Sequence, residues 1–148
     1  MTGRILLVEA DVVLGAVVVE VLRHSRYEVS FVRTLRDEVE RVRSQPVSAV
    51  ILDLDMISGE KELAYLGLLR SSLESLPIVL MGLQAPEDLH QRLRVHLGRL
   101  RTKHLAWVKK PFRNEELLAA LRQVHGSSPM GSAFPGERNI GDKFSPNT

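Results

Sequence analysis

Three acidic residues and one lysine lie at or just past the ends of apolar runs. Glu9 and Asp11 follow the run ILLV, Asp53 ends the run AVIL, and Lys110 follows AWVK. A carboxylate at the end of a fully apolar run is costly to bury unless a cation or a metal ion pairs with it. Lys110 is the candidate cation, so these residue types predict carboxylates balanced by an ammonium group. For Asp11 a structural role is equally open, because an aspartate here could cap a following helix.

The order of the apolar runs indicates how these residues could meet. Runs rich in strand-forming residues alternate with segments of helical period, which is typical of βαβ units in a parallel sheet with helices on both faces. In such a sheet, functional residues gather at the carboxyl ends of the strands. The predicted strands are Ile5–Glu9, Glu28–Val32, Ala49–Asp53, Ile78–Gly82 and Leu105–Lys109. The predicted fold class is therefore α/β, with a doubly wound, five-stranded parallel sheet.

Apolar residues at helical spacing lie between the strands. The segment VVLGAVVVEVL is rich in β-branched residues, which favour strands. Its apolar residues nevertheless share one helical face, which predicts a helix: Leu14, Val17, Val18, Val21 and Leu22. Two further helical stripes are Leu35, Val39 and Val42, and Leu117, Leu118, Leu121 and Val124. From Gly126 the chain is rich in Gly, Ser, Pro and Asn, so we predict one domain over residues 1–125 and a tail or linker over residues 126–148.

The composition narrows the classes of function. Lys and Arg number 20 against 18 Asp and Glu, and a net charge of +2 does not by itself indicate nucleic-acid binding. No apolar run reaches the roughly 20 residues that cross a bilayer, and the first residues lack the layout of a signal peptide. The absence of cysteine excludes disulfides, thiolate metal sites and cysteine nucleophiles. We expect a cytoplasmic protein with no membrane segment.

Three stretches of the chain resemble one known family. RILLVEAD, AVILDLDM and AWVKKPF resemble, in this order, the motifs of the response regulator receiver domains of two-component signalling. The resemblance covers about residues 4 to 125, and its most specific signals are Asp53 and the Lys-Pro-Phe sequence that begins at Lys110. It implies a flavodoxin-like (βα)5 fold and a role in phosphorelay signal transduction rather than an enzyme.

The resemblance also implies roles for individual residues. Asp53 would be the nucleophile that accepts a phosphoryl group from a histidine kinase. The ammonium group of Lys110 would pair with a phosphoryl oxygen, with the following Pro111 in the cis form. Mg²⁺ would neutralise charge on the transferring group. Its ligands would be Glu9, Asp53 and Asp55, the last through its backbone carbonyl.

Three positions depart from the family pattern. Ala10 stands where the family has an acid that binds the metal directly, and Asp11 comes one residue late, so we expect weak Mg²⁺ binding at most. Gly82 replaces a Ser or Thr whose hydroxyl closes onto the phosphoryl group. Trp107 replaces a Tyr or Phe that moves inward during switching, and its larger ring could be held in one packed state. These departures predict a weakened or lost phosphorylation switch.

The chain between Gly82 and Lys110 is longer than the usual receiver spacing and locally basic. Leu89, Leu93 and Leu97 predict a lengthened fourth helix, and its basic residues are Arg92, Arg94, Arg99, Arg101 and Lys103. In the family this helix, the fifth strand and the last helix bind partners and form dimers. A solvated surface, an acidic protein partner and a homodimer remain open here. Nucleic acid is disfavoured, because no DNA-binding motif accompanies the basic residues.

Three functions remain open from the sequence. The first is a divergent receiver domain that acts as a protein-interaction module. The second is a working single-domain response regulator that a histidine kinase phosphorylates on Asp53. The third is a small flavodoxin-like hydrolase using Asp53 and Lys110, for which the sequence offers no second base. The absence of an acid at residue 10 and of a hydroxyl at residue 82 favours the first.

Overall fold

The structure, a computed structural model, describes residues 3–57, 64, 76–84 and 105–126. In these ranges the strands are β1 (Arg4–Val8), β2 (Glu28–Val32), β3 (Ala49–Asp53), β4 (Ile78–Gly82) and β5 (Leu105–Lys109). The helices of these ranges are α1 (Val12–His24), α2 (Leu35–Ser44) and α3 (Asn114–Gly126), and a 3-10 turn, Leu54–Met56, follows β3. Four predicted strands have the predicted bounds. The prediction for the first is wrong by one residue, so Glu9 lies just past β1.

The described strands form one parallel sheet in the order β2-β1-β3-β4-β5. This order is that of the flavodoxin-like doubly wound fold, which confirms the predicted fold class. Strands β3 and β4 lie inside the sheet, and all their residues are buried. Continuous apolar strands of this kind are expected where helices cover both faces of a sheet.

The two faces of the sheet carry separate apolar clusters. On one face, Val18 and Leu22 of α1 and Leu121 of α3 belong to the same cluster. On the other face, Leu35 of α2 packs in a cluster with Leu6 of β1. Because side chains alternate along a strand, neighbouring residues of β1 contribute to opposite clusters.

Helix α1 forms despite its β-branched residues, because its surroundings favour a helix. Asp11 caps its first turn, and Gly15 lets the ring of Phe31 lie against it, since a Cβ atom at residue 15 would overlap that ring. Of the apolar residues that periodicity assigned to one helical face, Val17 is not buried, since it is 51% exposed. Val18 faces the sheet instead, and consecutive residues are turned by roughly 100° around a helix.

Some of the predictions concern residues that the structure does not describe. Helix α3 ends at Gly126, and the prediction of a tail or linker after the domain stays untested. Residues 127–148, the side chain of Val39 and the basic segment, defined as residues 89–103, lie outside the description. Within the described ranges, no helix is both long and apolar enough to cross a bilayer.

Candidate functional site

The carboxyl ends of neighbouring strands bring the predicted charged residues together. Glu9 follows β1, Asp53 ends β3 and Lys110 follows β5. The backbone N–H of Lys110 donates to the carbonyl oxygen of Gly82 at the end of β4 (2.8 Å). The peptide bond from Lys110 to Pro111 is cis, as predicted. The sheet therefore brings Glu9, Asp53 and Lys110 to one edge.

The ammonium group of Lys110 contacts three carboxylates. Its Nζ lies 2.9 Å from Asp53 Oδ1, 3.2 Å from Asp55 Oδ2 and 3.3 Å from Glu9 Oε1. The contact with Asp53 has the geometry of a hydrogen bond. The side chain of Lys110 is 13% exposed, whereas those of Asp53 and Glu9 are 4% and 1% exposed. We call these four residues the charged cluster, and most of it is removed from solvent.

Burial changes the protonation of the charged cluster. Burial raises the pKa of Glu9 to about 7, and the neighbouring Asp53 carboxylate acts in the same direction. The N–H of Asp11 and the charge of Lys110 oppose this increase. Burial acts to lower the pKa of Lys110, but the hydrogen bond and negative charge of Asp53 outweigh it, so the pKa is raised. At neutral pH Lys110 is therefore charged, while Glu9 is divided between its acidic and ionised forms.

Asp11 is the cap of α1 and is not part of the charged cluster. Its Oδ1 accepts hydrogen bonds from the backbone N–H groups of Val13 (2.9 Å) and Leu14 (3.1 Å). Its own N–H donates to Glu9 Oε2 (3.0 Å). Of the two roles that the sequence left open for Asp11, the structure has the cap.

Two acidic residues have roles that the sequence did not indicate. The family resemblance implied only the backbone carbonyl of Asp55, as a metal ligand. In the structure one carboxylate oxygen of Asp55 contacts Lys110, and the other accepts from the N–H of Leu83 (3.1 Å). Glu38 of α2 is fully buried, and neither carboxylate oxygen has a hydrogen-bond partner. A signal for Glu38 was available, because it lies three residues after Leu35 on the same helical face.

Comparisons with known proteins identify the fold. No protein-family model and no curated protein matches the sequence. Among solved structures, the chain is similar to the chemotaxis protein CheY4 of Vibrio cholerae, with 20% identity, a TM-score of 0.68 and coverage of 84% of this chain and 99% of that chain. It is also similar to a CheY-like response regulator receiver domain protein from Methanospirillum hungatei JF-1, with 16% identity, a TM-score of 0.70 and coverage of 86% and 97%. The chain has the receiver-domain fold.

The receiver fold implies Mg²⁺, but the oxygen atoms of this site do not fit it. Ala10 supplies no side-chain oxygen, and the carboxylate of Asp11 is bonded to α1. Glu9, Asp53 and Asp55 each have an oxygen in contact with Lys110 Nζ. In the part of the chain that the structure describes, no three His, Cys, Asp or Glu side chains are arranged to hold a metal. Mg²⁺ requires near-octahedral oxygen ligands at about 2.0–2.1 Å, and the oxygens of this site do not provide them.

The ring of Trp107 lies against Gly82, at the receiver position where a hydroxyl side chain is expected. A Cβ atom at residue 82 would lie 2.9 Å from Cη2 of Trp107 and 3.5 Å from Oδ1 of Asp55. Trp107 pairs with Leu80 across β4 and β5 and packs against the apolar cluster that contains Leu54. The indole ring thus occupies the space beside the charged cluster that a residue-82 side chain would need.

The predicted partner surface is only partly described. Arg92, Arg94, Arg99, Arg101 and Lys103 lie outside the described residues, so their prediction stays untested. The elements that flank them, β5 and α3, are described. Leu117, Leu121 and Val124 of the predicted stripe are buried, whereas Leu118 is only partly buried.

Proposed function

We propose that this chain is a divergent receiver domain of phosphorelay signal transduction that binds a protein partner without a phosphorylation switch. The observation that carries this proposal is the contact between Trp107 and Gly82. A phosphoryl group on Asp53 can shift a conformational equilibrium only if it interacts differently with the two states. Gly82 has no side chain for such an interaction, and Trp107 fills the space beside it. Phosphorylation of Asp53 would therefore change the conformational equilibrium little.

The proposed partner is an acidic protein, and the proposed surface is the basic segment with β5 and α3. The charge of the basic segment supports this choice, since five Arg and Lys residues fall within twelve positions. Complementary charge mainly accelerates association and selects partners, and its effect weakens as salt increases. A homodimer through the same surface is the alternative that an oligomeric-state measurement would reveal.

The test compares capture of partners from the native cell extract by four forms of the protein. Reversal of Arg94, Arg99 and Arg101 to Glu should reduce capture by at least about tenfold at low salt and less at high salt. Asp53→Asn should leave capture within about twofold of wild type. A matched control reverses Arg26, Arg36 and Arg43, which are exposed elsewhere on the domain. Loss of capture in Asp53→Asn, with the basic reversal unaffected, would reject the proposal.

A working response regulator is the second candidate, and one observation favours it. Asp53 lies at the end of β3 with Lys110 Nζ 2.9 Å from its Oδ1, so an acceptor carboxylate and a cation for the phosphoryl oxygens are both in place. Incubation with acetyl phosphate and Mg²⁺, followed by intact-mass measurement, distinguishes the candidates. Stoichiometric phosphorylation that changes partner capture would support the regulator, whereas no incorporation supports the interaction module.

The proposal also covers catalysis and cellular location. Nothing in the described residues favours a hydrolase using Asp53 and Lys110, so we propose a protein that is not an enzyme. A cytoplasmic location and a histidine kinase as one partner are expectations that accompany the signalling role. Fractionation of the native cells tests the location.

A further inference from the structure

The solvent-facing side of α1 is apolar over its first two turns. The exposed residues of these turns are Val12, Val13, Ala16 and Val17. The three valines are between 48% and 74% exposed, and with Leu83 they are the exposed large apolar residues of the described ranges. A surface helix ordinarily presents polar residues to solvent, and an exposed apolar patch commonly marks a contact surface. This side of α1 is therefore a candidate docking surface.

A groove lies between this side of α1 and the edge of the sheet. Its apolar lining comes from both elements: Val12, Ala16, Val19, Val29 and Phe31. Glu20 and Arg23 add polar groups at the end of α1. The volume of the groove is about 380 Å³, which is enough for an aromatic side chain. We call it the α1–β2 groove, and it is open at the side because β2 is an edge strand of the described sheet.

The last residues of the chain contain apolar side chains that a solvated linker does not need. We call residues 127–148 the tail. Two of the four phenylalanines of the chain, Phe134 and Phe144, belong to the tail, which is otherwise rich in Gly, Ser, Pro and Asn. Solvated segments of that composition contain few aromatic residues. The two phenylalanines therefore give the tail side chains that could dock in an apolar groove.

The tail begins near the α1–β2 groove. Helices α1 and α3 pack in the same apolar cluster, and the ring of His125, near the end of α3, lies 6.3 Å from the ring of Tyr27. Tyr27 directly precedes β2, and Val29 of the groove lies roughly 7 Å farther along the chain. Helix α1 is about 10–12 Å across. A path from Gly126 around the end of α1 to Val29 therefore needs on the order of 20 Å.

This distance selects one side chain of the tail. An extended chain spans at most about 3.6 Å per residue, so Met130 reaches about 14 Å from Gly126 and Phe134 about 29 Å. Phe144 also reaches the groove, but a longer connecting segment lowers its effective concentration there. Phe134 is thus the first large apolar residue of the tail that can enter the α1–β2 groove.

We propose that the tail docks in the α1–β2 groove of its own chain, with the side chain of Phe134 buried against α1 and β2. Docking covers part of the apolar side of α1 and requires no second protein. The groove does not include the basic segment or β5, so this proposal and the proposed partner surface can fail independently.

Disulfide trapping tests the location of the tail, because the chain has no cysteine of its own. A disulfide forms only when two Cα atoms come within about 4.4–6.8 Å. Ala133→Cys supplies a thiol next to Phe134, and Ala16→Cys supplies a thiol in the groove. In the matched control, Ala133→Cys is combined with Ala119→Cys, since Ala119 is also an exposed alanine but belongs to α3.

With oxidised glutathione as the oxidant, the Ala16 pair should close at least about tenfold faster than the Ala119 pair, because docking holds residue 133 at the groove. A tail without a preferred position would close the Ala119 pair at least as fast, since Ala119 is nearer along the chain. Adding Phe134→Ala should slow closure of the Ala16 pair at least about tenfold, because the buried ring is lost. Adding Phe144→Ala should change it less than about twofold.

The rate of closure should also be independent of protein concentration, because both thiols belong to one chain. An Ala16 pair that closes no faster than the Ala119 pair, or that closes equally fast with Phe134→Ala, would overturn the proposal. Disulfides between two chains, at a rate that rises with protein concentration, would assign the groove to a second copy and overturn it as well.

Discussion

Glu38 should make the stability of this domain fall as pH rises. Its side chain is fully buried on the sheet-facing side of α2, and neither carboxylate oxygen has a hydrogen-bond partner. Burial raises the pKa of Glu38 to about 8 from an ordinary 4.5. Burying an ionised carboxylate without a partner is so costly that the group takes up a proton instead. The folded protein therefore carries Glu38 as a neutral acid at pH 7, whereas the unfolded chain carries it ionised.

The sign and the size of the effect follow from this difference in pKa. Between pH 4.5 and about 8 the folded state binds one more proton than the unfolded state, so the free energy of unfolding decreases with pH. The slope is roughly 1.4 kcal/mol per pH unit. The loss relative to acidic pH is about 3 kcal/mol at pH 7 and approaches about 5 kcal/mol above pH 8. This is a large part of the 5–15 kcal/mol that is typical of a domain.

Urea unfolding followed by circular dichroism from pH 5 to 8.5 measures this effect. Glu38→Met should remove this contribution to the slope and be more stable than wild type by about 3 kcal/mol at pH 7. Glu38→Gln should also remove it with a smaller gain, because an amide still lacks partners. Glu40→Gln is the control, since Glu40 is exposed on the same helix. If Glu38→Met keeps the slope of wild type, the burial argument is wrong.

Three further changes test the packing and the charges. Lys110→Ala should lower the free energy of unfolding by about 3–5 kcal/mol at pH 7. The loss should be smaller at pH 5, because Glu9, whose pKa is about 7, is protonated there. Equal losses in urea unfolding at both pH values would contradict this. Gly82→Ser should cost about 1–3 kcal/mol by clashing with Trp107 and shift its fluorescence to longer wavelength, and an unchanged spectrum would count against the contact. Gly15→Ala should cost a similar roughly 1–3 kcal/mol through overlap with the ring of Phe31, and Phe31→Leu should restore most of the melting temperature.

The sheet could be predicted from the sequence because its signals are local and strong. Runs such as AVILD and IVLMG are apolar at almost every position, and the structure buries every residue of both. The helix α1 was harder, because periodicity and β propensity disagree there. Periodicity predicted the helix but not which of its residues face the sheet. Spacing alone does not determine how the helix is rotated about its axis, and Val17 is exposed.

The site could be predicted only as far as strand ends determine it. The ends of parallel strands meet at one edge, so the pairing of Asp53 with Lys110 followed from topology. The inclusion of the Asp55 carboxylate depends on how the turn after β3 directs its side chain, which the sequence does not encode in any local pattern. For Glu38 two sequence signals disagree, because its spacing from Leu35 indicates the buried face of α2, whereas a glutamate is usually found at the surface.

Two of the three departures from the receiver pattern, Ala10 and Gly82, each lie beside a close contact. Ala10 removes a carboxylate, and Lys110 is in contact with those that remain. Gly82 has no side chain, and Cη2 of Trp107 lies 2.9 Å from the position that a Cβ atom at residue 82 would take. Since contacting residues do not contribute additively to stability, changing one position alone to the residue of the receiver pattern should not give the site the chemistry of that pattern. An acid at residue 10 would add negative charge beside three carboxylates that share one ammonium group, and a hydroxyl residue at position 82 would meet the ring of Trp107, so each change requires its neighbours to change as well.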